Sequence, residues 1–140
     1  MKVRSILNEH MGADSVQFLS ITLDAPWDTV ERMAGYAKSY QIENEAGLPR
    51  WLFLSGKYAE TERLRRSMGV YDLDPVVDAD KTQHSGIVTF GNDRTDRWAA
   101  LPSEMDAAQI VEAMIRVAGR TQEERDRSLE AVKDSLFKER

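Results

Sequence analysis

The residue best placed to do chemistry is His84, one of two histidines in a chain of 140 residues that contains no cysteine. It stands in the stretch DADKTQHSGIVTFGNDRTDRWAAL (78–101), directly before the apolar run Gly86-Ile87-Val88-Thr89-Phe90. An imidazole at the mouth of a buried strand is held by a stiff scaffold, which suits a metal ligand. Its neutral ring nitrogen binds divalent metals and copper, but affinity comes from the assembled ligand set rather than from one donor. Asp78 or Asp80 could fix its tautomer from the outer shell. The run Asp72, Asp74, Asp78, Asp80 lacks the glycine and terminal glutamate of a calcium-binding loop, so it is expected to be a solvated loop of turn-forming aspartates. His10 next to Met11 is a second soft-donor pair, and the residue is expected on an exposed helix face. The six methionines do not cluster; Met33 and Met114 fall on apolar helix stripes, where they fill core space.

The absent cysteines remove disulfides, thiolate metal sites and thiol nucleophiles together. Peroxidase and disulfide-exchange chemistry are thereby excluded for this chain on its own. No nucleophile elbow and no phosphate-binding loop is found either. The residues therefore point away from an enzyme.

These side chains must be positioned by a short series of elements. Val3, Ile6, Leu7 and Met11 have helical spacing, with Gly12 to end the helix. VQFLSITLD (16–24) and RWLFLSG (50–56) read as strands buried on both faces, hence parallel. Between them, DTVERMAGYAKSY (28–40) is a helix with Asp28 as its cap and Glu31 completing a capping box. YAETERLRRSMG (58–69) is amphipathic and ends at Gly69. Residues 70–83 are irregular, and 85–102 form a hairpin about the turn GNDRTD. A helix spans 103–119, and a charged tail at 120–140 carries a thin stripe of Leu129, Val132 and Leu136, predicting a loosely docked helix. Trp27, Trp51 and Trp98 are spread over three elements and read as packing residues. The order is α/β with a parallel core and an antiparallel hairpin.

Bulk properties agree with one soluble domain. Hydrophobic content is 41% and charged content 31%. A net charge of −5 without a basic stripe excludes nucleic acid as the partner, since phosphate attraction supplies most of that affinity. No apolar run approaches the ~20 residues that cross a bilayer, and MKVRSILNEHMGAD has no signal-type apolar region. The chain as written is thus expected in the cytoplasm.

Three stretches in order resemble the SCO/SenC family of thioredoxin-like copper proteins. Asp24-Ala25-Pro26-Trp27-Asp28-Thr29 is similar to the family's D-P-x-x-D-T signature, with Ala25 inserted. Trp51-Leu52-Phe53-Leu54-Ser55-Gly56 matches W-x-F-L-[TS]-G. QHSGIVTFGNDRTDRWAAL (83–101) matches the segment that carries the copper-ligating histidine, which places His84 on that ligand. The resemblance implies a thioredoxin-like domain over residues 1–119, with a mixed sheet, helices on both faces and a C-terminal hairpin. It implies copper as cargo, delivery to cytochrome c oxidase as the role, and an oxidase subunit or another copper or redox protein as partner. It also implies a membrane-anchored relative facing the periplasm or the intermembrane space.

Family members bind copper with this histidine and two cysteines of a C-x-x-x-C motif, on a strand and loop before the first helix. Here that motif and its central strand are missing, so the copper role is expected to be impaired. The vacancy predicts two inner strand edges that are closed by collapse, by homodimer pairing, or by a segment upstream of Met1. The rival expectations are a cysteine-free protein-binding module and a fragment of a thiol redox protein.

Overall fold

A computed structural model describes residues 2–80, 86–119, 126, 127 and 129–134. The described elements run α1 (Lys2–Met11), β1 (Phe18–Ile21), α2 (Val30–Ser39), β2 (Trp51–Leu54), α3 (Tyr58–Ser67), α4 (Pro75–Ala79), β3 (Ile87–Asn92), β4 (Arg97–Pro102) and α5 (Ala107–Val117). Both expected pairings are present: β1 lies parallel to β2 and β3 antiparallel to β4. Among the described residues each pair forms a two-stranded ladder. The chain divides accordingly into two compact units.

One unit contains α1, residues Gly47–Pro49, and the chain from Gly86 onward. Its core is Leu7, Phe90, Ala108, Ile110, Val111 and Ile115, where α1 and the hairpin meet α5. Helix α5 begins at Ala107, four residues later than its periodicity suggested. The Asp106 carboxylate accepts from the Ala108 N–H at 2.9 Å and sets that start. Its end is fixed from the hairpin: Asn92 Nδ2 donates to the Ala118 carbonyl at 2.7 Å, and Gly119 follows with φ +75°. The same Asn92 accepts from the Arg94 N–H through Oδ1, so one amide orders both the hairpin turn and the helix terminus. Arg4 is the unexpected member of this core. It is buried on α1 and donates from Nε to the Pro49 carbonyl at 2.7 Å. His10 also departs from expectation: it is half-buried, not exposed, and its Nε2 has no hydrogen-bond partner among the described residues. Farther along, residues 126, 127 and 129–134 are helical, with Val132 buried.

In the hairpin, Gly91 lies directly opposite Trp98, and the indole covers the glycine. A Cβ at residue 91 would run into the Trp98 ring and would sit 2.7 Å from the Arg97 carbonyl oxygen. Gly91→Ala is therefore expected to destabilise this unit by about 1–3 kcal/mol, the range for overpacking. Urea unfolding followed by Trp98 fluorescence measures it; an unchanged midpoint would mean that the ring swings aside freely.

The second unit contains β1, α2, β2, α3 and α4. Helix α2 provides the crossover that a parallel pair requires. Its cap lies one residue later than predicted, because Thr29 rather than Asp28 accepts from the Arg32 N–H. Asp28 is engaged elsewhere, as acceptor for the Thr22 hydroxyl. The strands also differ from expectation. In β1, Phe18 and Ser20 alternate with the exposed Leu19 and Ile21, and Leu54 of β2 is exposed beside Ile21. The reading of both strands as buried on two faces is corrected: a two-stranded ladder backed by α2 shelters only one face among the described residues. That sheltered face carries Phe18, Trp51 and Phe53, with rings in contact from one to the next. Asn44 borders β2, accepting from the Trp51 N–H at 2.7 Å and donating to its carbonyl at 3.0 Å. A side-chain amide thus satisfies backbone groups at the strand edge.

Candidate functional site

His84 lies in residues 81–85, outside the described residues. Its two flanks are described, and each is firmly tied. On the upstream side, Asp74 caps α4 by accepting from the Val76 N–H at 2.8 Å, and Pro75 occupies the first helical position, where its missing N–H costs nothing. The Asp72 carboxylate accepts from the Asp74 N–H at 2.8 Å. The expectation of a turn-forming aspartate run holds for these two residues, although the segment is helical over Pro75–Ala79 rather than irregular.

Asp78 does something the sequence did not reveal. Its carboxylate receives both terminal nitrogens of Arg65, at 2.5 and 2.8 Å, a bidentate geometry. It also accepts from the Asp72 N–H at 3.0 Å and from Arg66 at 3.3 Å. Glu62 grips the same guanidinium from one helical turn earlier, at 3.0 Å on Nε and 2.8 Å on the terminal nitrogen. The remaining hydrogen on the Arg65 group reaches the Val70 carbonyl at 2.8 Å. The arginine beside it holds the Asp78 carboxyl well below the usual carboxylate range, and the two carboxylates raise the Arg65 guanidinium above its ordinary value. Asp78 is thereby committed to α3. The expectation that Asp78 or Asp80 fixes the His84 tautomer concerns a ring outside the described residues.

On the downstream side, the Ser103 N–H donates to the Gly86 carbonyl at 2.6 Å and ties the start of the hairpin to its other end. A Cβ on Gly86 would sit 2.8 Å from the Ser103 hydroxyl.

The Asp24–Thr29 signature is a structural device. The Thr22 hydroxyl donates to Asp28 and accepts from the Asp24 N–H at 2.9 Å. The Asp24 carbonyl accepts from the N–H groups of Trp27 and Asp28, at 3.0 and 2.9 Å. Thr29 then caps α2. These bonds build the strand-to-helix turn. Trp27 is not a packing residue but an exposed one, with the Arg32 guanidinium 3.9 Å above its ring.

A family model described as SCO1/SenC matches residues 1–119. The chain belongs to the SCO1/SenC family. No curated protein and no solved structure matches it. Membership accounts for the α/β architecture, a parallel pair and an antiparallel pair with helices around them, which is consistent with the family's thioredoxin-like fold. The family is copper-associated and linked to cytochrome oxidase.

This member's donors do not fit the family's copper set. Two thiolates and an imidazole are required, and the chain has no thiol. Among the described residues, no group of three His, Asp or Glu side chains is arranged to hold a metal ion. Also among the described residues, no helix is long and apolar enough to cross a membrane.

Proposed function

We propose that this chain is an SCO1/SenC-family protein in which copper delivery to cytochrome oxidase is impaired, acting as a non-catalytic binding partner of a copper or redox protein. The observation that carries this is the pairing of a family match over residues 1–119 with a complete absence of cysteine. Soft Cu(I) is selected by thiolate, and a lone imidazole at residue 84 leaves the ion's other positions to water. His84 is the one family ligand retained.

The test is a competition between the purified chain and a Cu(I)-specific chelator, with and without His84. Wild type and His84→Ala are expected to surrender Cu(I) equally, with at most weak Cu(II) binding that depends on His84. Retention of Cu(I) at micromolar affinity or tighter, lost in His84→Ala, would overturn the impairment and restore the delivery role.

The second reading, a cysteine-free protein-binding module, is favoured by the open face of Leu19, Ile21 and Leu54. An apolar strand face of this kind is suited to docking against another chain, a second copy included. Sedimentation of the wild type beside Leu19→Lys separates these: a dimer that Leu19→Lys dissolves assigns the face to self-pairing.

A further inference from the structure

The rings of Tyr36, on α2, and Tyr40, its C-cap, lie one turn apart, with centroids at 4.7 Å and planes tilted by 46°. Both are open to solvent, at 53% and 57%. The Tyr40 side chain beside it holds the Tyr36 phenol above the ordinary tyrosine value. The centroid spacing is close to that of two directly bonded aromatic rings. Behind the pair, Tyr36 touches Phe53 at 6.0 Å, and Phe53 stacks on Trp51 at 5.9 Å. An oxidisable indole is therefore connected through a continuous row of rings to two exposed phenols. Tyr58 and Tyr71 are also exposed, but neither has a tyrosine ring against it among the described residues.

We propose that Tyr36 and Tyr40 form an oxidative modification site, where one-electron oxidants close an intramolecular dityrosine across the last turn of α2. Each phenol gives one electron to the oxidant and one proton to water, leaving two phenoxyl radicals. These couple through a new carbon–carbon bond between the ring positions beside the oxygens. The hydrogen on each bonded carbon then shifts to its oxygen and restores both phenols. The net change is the loss of two electrons and two protons, and one hydrogen peroxide, reduced to two waters, accepts them. The helix supplies the chemistry's main requirement, because it brings the two radicals together before either meets another molecule. The site would take up oxidising equivalents and staple α2 at its C-terminal end. It is independent of any copper ligand in this chain.

The test uses the full chain, dilute, with a haem peroxidase and hydrogen peroxide. Trypsin cleaves after Arg32, Lys38 and Arg50, so the two tyrosines part into peptides 33–38 and 39–50. Monomeric product is expected to show dityrosine fluorescence and a linked pair of these peptides, two hydrogens lighter than their sum. Tyr36→Phe and Tyr40→Phe should each abolish it while keeping the ring packing, and Tyr58→Phe and Tyr71→Phe should leave it. Oxidation in urea should reduce the yield severalfold, since the unfolded chain does not hold the rings together. Cross-links confined to dimers, links through Tyr58 or Tyr71, or tyrosine consumption with no 33–38 to 39–50 product would each overturn the assignment.

Discussion

Replacing Arg65 with methionine is expected to lower the stability of the unit that contains α3 and α4 by about 2 kcal/mol, an amount discounted for the open side of the network. Methionine keeps an unbranched apolar stem like that of the arginine but removes every donor. The Arg65 side chain is only 6% exposed, and it binds two carboxylates and the Val70 carbonyl at once. Its removal leaves Glu62 and Asp78 as neighbouring negative charges without their shared cation. It also loosens α4, because the same Asp78 carboxylate receives the Asp72 N–H. Urea unfolding measures the loss; a change within a few tenths of a kcal/mol would reduce the network to an ordinary surface ion pair. The acid limb gives an independent check. Asp78 has a lowered pKa in the folded chain, so its contribution is complete above the unfolded aspartate value of about 3.9 and is lost as pH falls from there toward the folded value. Wild type should lose stability through that window, and Asp78→Asn should lack this part of the slope. The raised Arg65 value has the opposite sign: its contribution is complete below the ordinary arginine value and disappears only in strong alkali.

Leu7→Ala is expected to cost more, about 3 kcal/mol, from lost transfer energy plus the cavity left behind. Leu7 is fully buried on α1, the helix that packs against Val111 and Ile115 of α5. That unit's core is small, so the surroundings have few side chains with which to refill the space. The contrasting substitution is Leu19→Ala: the same chemistry at a residue 53% exposed should change the urea midpoint by under about 0.5 kcal/mol. Equal losses at the two positions would mean that the face carrying Leu19 is covered in solution, and would favour the self-pairing chain over the open module.

Much of the local structure could be read from the residues alone. Apolar spacing located α1, α2, α3 and α5, and the β-branched and aromatic runs located all four strands. The hairpin turn, the aspartate-rich turns before α4 and the glycine after α5 follow from backbone preferences that act within a few residues. Zero cysteine settled the thiol question without any structure. The resemblance carried by three short stretches placed the chain in a family that the match over residues 1–119 then showed.

The tertiary structure decided which partner each polar side chain takes. Asp28 was the expected cap by type; Thr22, just past β1, took Asp28 and left the cap to Thr29. Asp78 could have faced the histidine segment, but Arg65, thirteen residues earlier, binds it. Arg4 is buried, and its Nε–H goes to the Pro49 carbonyl, 45 residues away. Caps and turns depend on dihedral angles within one stretch of chain, so residue order specifies them. A buried charge or an opened strand face depends on which distant groups arrive beside it, and only the packed chain determines that.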